Sequence, residues 1–132
     1  MSNPVISGDG IFSHVFIGAA DVQKSAAFYD AALGALGINN LGPFGNGWML
    51  YGREKPAFII ARPGNGEAPS SNGVTIGFAA ATTAEVDAFH AAGLAAGGTD
   101  EGRPGPRGHL PGAYAAYLRD PAGNKVCSYT FV

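Results

Sequence analysis

A single cysteine, Cys127, stands among 132 residues, so no disulfide can close within the chain. Charge is sparse too: Asp, Glu, Lys and Arg make up 14 % of the residues, and the formal net charge is −2. Lys and Arg form no run, so neither a nucleic acid nor an anionic membrane is expected as the main partner. No apolar stretch reaches the roughly 18 residues that a membrane-spanning helix needs. The opening MSNPVISGDG has neither a basic stretch nor an apolar run suited to export, and the expected setting is a reducing cytoplasm. No Ser-His-Asp spacing, phosphate-cradling loop or paired zinc motif is present.

Glycine, by contrast, is plentiful at 21 residues, and the length suits one compact domain rich in turns. The chain also repeats itself. Residues 14–37 (HVFIGAADVQKSAAFYDAALGALG) and 75–98 (TIGFAAATTAEVDAFHAAGLAAGG) each run strand, polar cap, Ala-rich helix and Gly stop, offset by 61 positions. Phe28 with Phe89, Leu33 with Leu94 and Gly37 with Gly98 fall into step. Two copies of one unit usually face each other across a pseudo-twofold, with a cleft between them.

In the first copy, Ile11 to Gly18 reads as a strand, with Phe12, His14 and Phe16 on one face. Asp21 is placed to cap a helix whose apolar stripe is Val22, Ala26, Tyr29, Leu33 and Leu36, and Gly34 and Gly37 mark its end. NNLGPF from Asn39, WMLYG from Trp48 and PAFIIARP from Pro56 read as three further strands. In the second copy, VTIGFAA from Val74 is the strand, Thr82 to Glu85 a capping box, and Val86, Phe89 and Leu94 the buried stripe. A polar stretch follows, then strands from Ala113 and Asn124 joined by the turn Asp120-Pro121-Ala122-Gly123-Asn124. Each half is therefore βαβββ, and the class is α+β.

These residues resemble the vicinal oxygen chelate superfamily, also called the glyoxalase/bleomycin resistance/dioxygenase group. The likeness rests on His14-Val15-Phe16-Ile17 before a capped helix ending in Phe28-Tyr29, on Phe78 and Phe89, and on the Gly97-Gly98 stop. Its most specific part is Tyr114-Ala115-Ala116-Tyr117 running into Asp120-Pro121-Ala122-Gly123-Asn124. The resemblance implies a single domain of two βαβββ modules, about 8–66 and 70–132, paired into a U-shaped sheet around a cup. Many members hold a divalent metal there with His, Gln or Glu from the first and last strands of each module. The first-strand position matches His14, but its counterpart in the second copy is Thr75, whose neutral hydroxyl is a poor ligand. Cys127 stands where metal-binding members usually place Glu, and Ala57 to Ala61 offers no ligand atom. His14 and Cys127 are thus the candidate metal ligands, with His109 a conceivable third. Two protein ligands do not make a secure transition-metal site, and no cofactor is expected; a divalent Zn, Ni, Fe or Mn ion is the alternative.

His14 is the catalytic candidate, either as a substrate-bonding imidazole or weak base, or as a neutral side chain satisfied by its neighbours. Cys127 shares a face with Lys125, Tyr129 and Phe131 and is either a small apolar residue or a reactive thiol. The segment from Thr99 to Gly112 carries Arg103, Arg107 and His109 and reads either as a lid that binds an anionic group or as a solvated loop. His90 is expected on a partly exposed helix face. Substrate-binding candidates are Phe12, Phe16, Trp48, Thr75, Arg107, His109, Tyr114 and Cys127. An aromatic, sparsely polar pocket of this kind suits a small hydrophobic or aromatic molecule. By analogy with the superfamily, the expected partner is a second copy of the chain in a homodimer.

Overall fold

The computed structural model of the protein describes residues 11–45 and 47–132. Residues 1–10, read above for export signals, lie outside the described residues. The elements follow the order β1 (Val15–Gly18), α1 (Val22–Gly34), β2 (Asn39–Phe44), β3 (Trp48–Gly52), β4 (Phe58–Ala61), β5 (Thr75–Ala79), α2 (Thr83–Ala95), β6 (Thr99–Pro106), β7 (Ala113–Arg119) and β8 (Lys125–Phe131). This is βαβββ twice over. Sheet A has the strand order β1-β4-β3-β2 and sheet B the order β5-β8-β7-β6, the first pair of each being parallel and the rest antiparallel. The α+β class with two paired modules is the one expected. No helix among the described residues is long and apolar enough to cross a membrane.

The repeat is kept to the residue in the helices. Asp21 accepts from the Lys24 amide and Thr82 from the Glu85 amide, so the two N-caps stand 61 positions apart, each satisfying an amide that the first helical turn leaves free. Glu85 completes its capping box by accepting from the Ala81 amide. The helices pack on each other, with Phe28 seated over Gly93, where an added Cβ would run into Phe28 and Leu118. Phe28, Tyr29, Leu33, Tyr51 and Ile60 of the first module and Val86, Phe89, Leu118 and Val126 of the second form one continuous core. A fully buried side chain of this size contributes about 1.5–3 kcal/mol, so the core ties the modules together.

The closing turn is the second tie. Asp120 is buried and accepts from the Ala122 and Asn124 amides, from Asn124 Nδ2 and from the Tyr29 hydroxyl, while Asn124 Nδ2 also donates to the Gly18 carbonyl. What reads in sequence as an ordinary hairpin turn is a clasp onto α1 and β1. The outermost strands β2 and β6 are irregular: β2 contains Pro43 and a bulge at Asn40/Gly42, and β6 contains Pro104, Pro106 and two register shifts.

Several expectations need correcting. Strand β1 begins at Val15, not Ile11, because its partner β4 is only four residues long and leaves Phe12 and Ser13 without a neighbour. The segment from Thr99 is a strand rather than a lid, held to β7 through Pro106, and only 107–112 form a surface turn, closed by backbone hydrogen bonds between Arg107, Leu110 and Ala113. His90 is buried and not a partly exposed residue, with Nε2 2.8 Å from Asp100 Oδ1. Leu94 is 41 % exposed, because α2 turns Val86, Phe89, His90 and Gly93 inward and Leu94 falls on the flank of that face.

Candidate functional site

A cavity of about 340 Å³ opens at the seam between the modules. The residues leading into β1, Phe12, Ser13 and His14, lie across from Ile76, Gly77 and Phe78 of β5, with Ile38, Tyr51 and Phe58 behind them. Strand alternation explains the floor: Val15, Phe58, Tyr51, Ile76 and Phe78 are the helix-facing residues of their sheets, so the cavity is the end of the core left unfilled. Phe58 packs edge-on between Tyr29 (4.9 Å) and Phe78 (5.1 Å), carrying aromatic contact from α1 across both modules. The Tyr51 hydroxyl donates to Asp30 and to the Ala26 carbonyl, and burial together with Asp30 raises its pKa far above the usual phenol value. Tyr51 is thus a fixed neutral wall. The polar handles are His14, which is exposed with Nδ1 2.9 Å from Ser13 Oγ, and Arg53, whose Nη1 donates to the Leu36 carbonyl.

The structure divides the sequence-derived candidates among five places. Phe12 and His14 line the cavity. Phe16 and Trp48 lie on the helix-distal face of sheet A, edge-on at 5.2 Å, with Phe44 against Trp48 at 5.9 Å. Thr75 and Cys127 lie on the helix-distal face of sheet B, and Arg107 caps that face beyond the end of β6. Tyr114 departs from the expected pocket: it points to the helix side of sheet B, where its hydroxyl donates to Asp87 of α2 at 2.6 Å. His109 is exposed on the 107–112 turn. The Cys127 thiol is buried, and desolvation pushes its pKa up to about 12 despite Lys125 and Arg107, so it is neutral and poorly nucleophilic near pH 7. The cavity residues the sequence did not single out are Ile38, Tyr51, Phe58, Ile76 and Phe78; the repeat offset, which pairs Val15 with Ile76, was the signal that could have found the last two.

A family model for the Glyoxalase/Bleomycin resistance protein/Dioxygenase superfamily matches residues 11–127. The chain belongs to this superfamily. A glyoxalase/bleomycin resistance protein from Albidiferax ferrireducens T118 is 46 % identical, with a TM-score of 0.82 over 93 % of this chain and 100 % of that one. Two other solved structures share the fold at about one-fifth identity. One is a glyoxalase-related enzyme from Fulvimarina pelagi (20 %, TM-score 0.70, 91 % and 88 % covered). The other is a lactoylglutathione lyase from Agrobacterium tumefaciens (20 %, TM-score 0.64, 94 % and 96 % covered). No curated protein matches the chain.

Glyoxalase-superfamily members typically use a divalent metal, and the donors in this chain can be tested against one. Among the described residues no three of His, Cys, Asp and Glu come together. His14 stands before β1, Thr75 offers a neutral hydroxyl, Cys127 is a single thiol, and β4 (FIIA) supplies no donor. Zinc-type ions want deprotonated thiolate, imidazole or carboxylate ligands, and this set does not fit one. No chemical step in this chain is therefore derived through a metal.

Proposed function

We propose that this glyoxalase-superfamily protein binds a small hydrophobic or aromatic molecule in the seam cavity without an essential metal. The observation that carries this reading is the cavity itself: about 340 Å³, walled by Phe12, Tyr51, Phe58, Ile76 and Phe78 from both modules, with His14 as the exposed polar anchor. Pockets of this size with few polar groups take ligands of one or two rings. His14 supplies ring nitrogens that can donate or accept a hydrogen bond, which suits it to bond a ligand carbonyl or hydroxyl. The reading as a divalent-metal lyase, isomerase or dioxygenase requires donors that the described residues do not assemble.

We further infer a homodimer in the cytoplasm. Phe16, Phe44 and Trp48 leave an exposed aromatic patch on sheet A, between 38 % and 60 % accessible, of the kind that a second subunit covers. The lone buried thiol fits a reducing compartment.

The test is a fluorescence titration with N-phenyl-1-naphthylamine, an uncharged hydrophobic dye, paired with NMR of the His14 ring protons. Binding by the wild type, displaced His14 signals, loss in Ile76→Trp and an affinity about fivefold weaker in His14→Ala are expected from a filled cavity and one lost hydrogen bond. Cys127→Ser should bind as the wild type does. Dye binding that leaves the His14 signals unmoved, or no binding at all, overturns the assignment.

A further inference from the structure

The segment that joins the modules, residues 62–74 between β4 and β5, contains two Asn-Gly pairs, Asn65-Gly66 and Asn72-Gly73. In such a pair the main chain attacks the preceding side chain most readily, because glycine has no Cβ to keep its nitrogen away from the asparagine Cγ. A third pair, Asn46-Gly47, begins at a residue outside the described residues. In sequence the two pairs of the connecting segment are alike. The structure separates them.

Both glycines have a positive φ, +78° at Gly66 and +92° at Gly73, and both stand in open space, with no atom within 4 Å of where a Cβ would be. Crowding therefore does not distinguish the sites, but hydrogen bonding does. The Asn65 side chain is tied at both ends: Oδ1 accepts from the Glu67 amide at 3.0 Å, an Asx turn, and Nδ2 donates to Glu67 Oε2 at 3.2 Å. The Gly66 amide, the group that would have to attack, donates to the Pro63 carbonyl at 3.0 Å. Asn72, by contrast, is exposed, and neither its side chain nor the Gly73 amide makes a hydrogen bond among the described residues. It lies outside every helix and strand, three residues before β5, so rotation about its backbone breaks no ladder bond.

We propose that Asn72 is a site of spontaneous covalent modification, deamidating through a succinimide, while its own turn protects Asn65. The Gly73 amide nitrogen gives up its proton to hydroxide and attacks Asn72 Cγ. The bond from that nitrogen to Cγ forms, the Cγ–Nδ2 bond breaks, and the side-chain nitrogen leaves as ammonia. Water then opens the five-membered ring. Opening at Cγ leaves an aspartate; opening at the main-chain carbonyl leaves an isoaspartate, whose backbone runs through the side chain and is one methylene longer. One water is consumed and one ammonia released, with no oxidant or reductant. Either product adds a carboxylate to a chain that is formally −2. The isoaspartate also lengthens the main chain just before the strand whose Ile76, Gly77 and Phe78 wall the seam cavity. The modification is independent of the ligand assigned to that cavity.

Incubation of the full chain in mildly alkaline buffer, followed by digestion under mildly acidic conditions with a protease that cuts after glutamate, tests this. Cleavage at Glu54, Glu67 and Glu85 puts Asn65 in peptide 55–67 and Asn72 in peptide 68–85, each the sole asparagine of its peptide. Mass spectrometry then reads the exchange of NH2 for OH in each. Asn72 should convert roughly tenfold faster than Asn65, the factor set by about one net hydrogen bond that Asn65 must break first. In denaturing urea the turn is gone, and the two rates should converge. Asn72→Gln, which leaves only a six-membered ring to close, should abolish conversion in 68–85 and leave 55–67 unchanged. The modified 68–85 peptide should split on chromatography into two isomers of equal mass, since direct hydrolysis of the amide gives aspartate alone. Equal rates in the native chain, an unmodified Asn72 in the native chain, or a single isomer would overturn the proposal.

Discussion

The Tyr29 hydroxyl donates to the Asp120 carboxylate at 2.7 Å, a bond that joins α1 of the first module to the β7–β8 turn of the second across 91 positions of sequence. Both groups are buried, and burial together with Asp120 holds the Tyr29 pKa well above the usual phenol value, so the donor proton is in place at neutral pH. Tyr29→Phe removes the donor and keeps the ring contacts with Phe28 and Phe58. A buried bond to a carboxylate is worth about 1–3 kcal/mol, and the urea midpoint should fall accordingly. An unmoved midpoint would mean that the clasp holds without it.

Gly93 sits where the helices touch, and substitution there sets two effects against each other. Alanine gains up to about 1 kcal/mol of helix propensity over glycine. Its methyl group, however, would collide with Phe28 and Leu118, both fully buried. Overpacking of this kind costs about 1–3 kcal/mol, so Gly93→Ala should lower the melting temperature. A rise would show that the helices separate without strain.

Thr130 offers the opposite case. Its hydroxyl is buried beneath α2 on β8 with no hydrogen-bond partner among the described residues. Valine has the same shape and no polar atom to desolvate. Thr130→Val should therefore raise stability by about 1 kcal/mol, read as a higher urea midpoint. A loss of stability would reveal a bonded hydroxyl.

Alkaline pH should weaken the fold. Burial raises the pKa of Tyr29, Tyr51, Tyr117 and Cys127, the last to about 12. Each is an acid that the folded state keeps protonated more firmly than the unfolded chain does. Their contribution is complete below the unfolded values, about 8.5 for Cys and 10 for Tyr, and is lost as pH rises through the folded ones. Urea midpoints should be flat in this respect from pH 7 to about 8.5 and decline by about pH 10.5. A constant midpoint to that pH would contradict the assigned burial. Iodoacetamide should correspondingly modify Cys127 in the native protein far more slowly than in urea.

Much of the fold was legible because the repeat is written in local signals. Asp21 and Thr82 cap helices that span 22–34 and 83–95, and the offset of 61 holds through the first strand and the helix of each module. The Thr99–Pro106 strand was not legible, since Asp, Gly and Pro in that density read as turns, and only pairing with β7 through two bulges makes it extended. His90 was misjudged because the inward face of α2 is defined by Phe28 approaching Gly93, a contact between modules that periodicity cannot show. Placing Tyr114 required knowing which parity of β7 meets the helix; buried Leu118 and Val126 carried that signal. The cavity lies at a seam between distant segments, so its full lining emerges only from three-dimensional packing.

The prolines and bulges of β2 and β6 bear on how copies of this chain can meet. A regular edge strand offers a row of unpaired amides and carbonyls to any passing strand and invites sideways growth into fibres. Pro43, Pro104 and Pro106 remove amides from those rows, and the register shifts bend what remains. Neither β2 nor β6 is a regular template for strand addition, so at these two borders the sheets are closed to sideways growth.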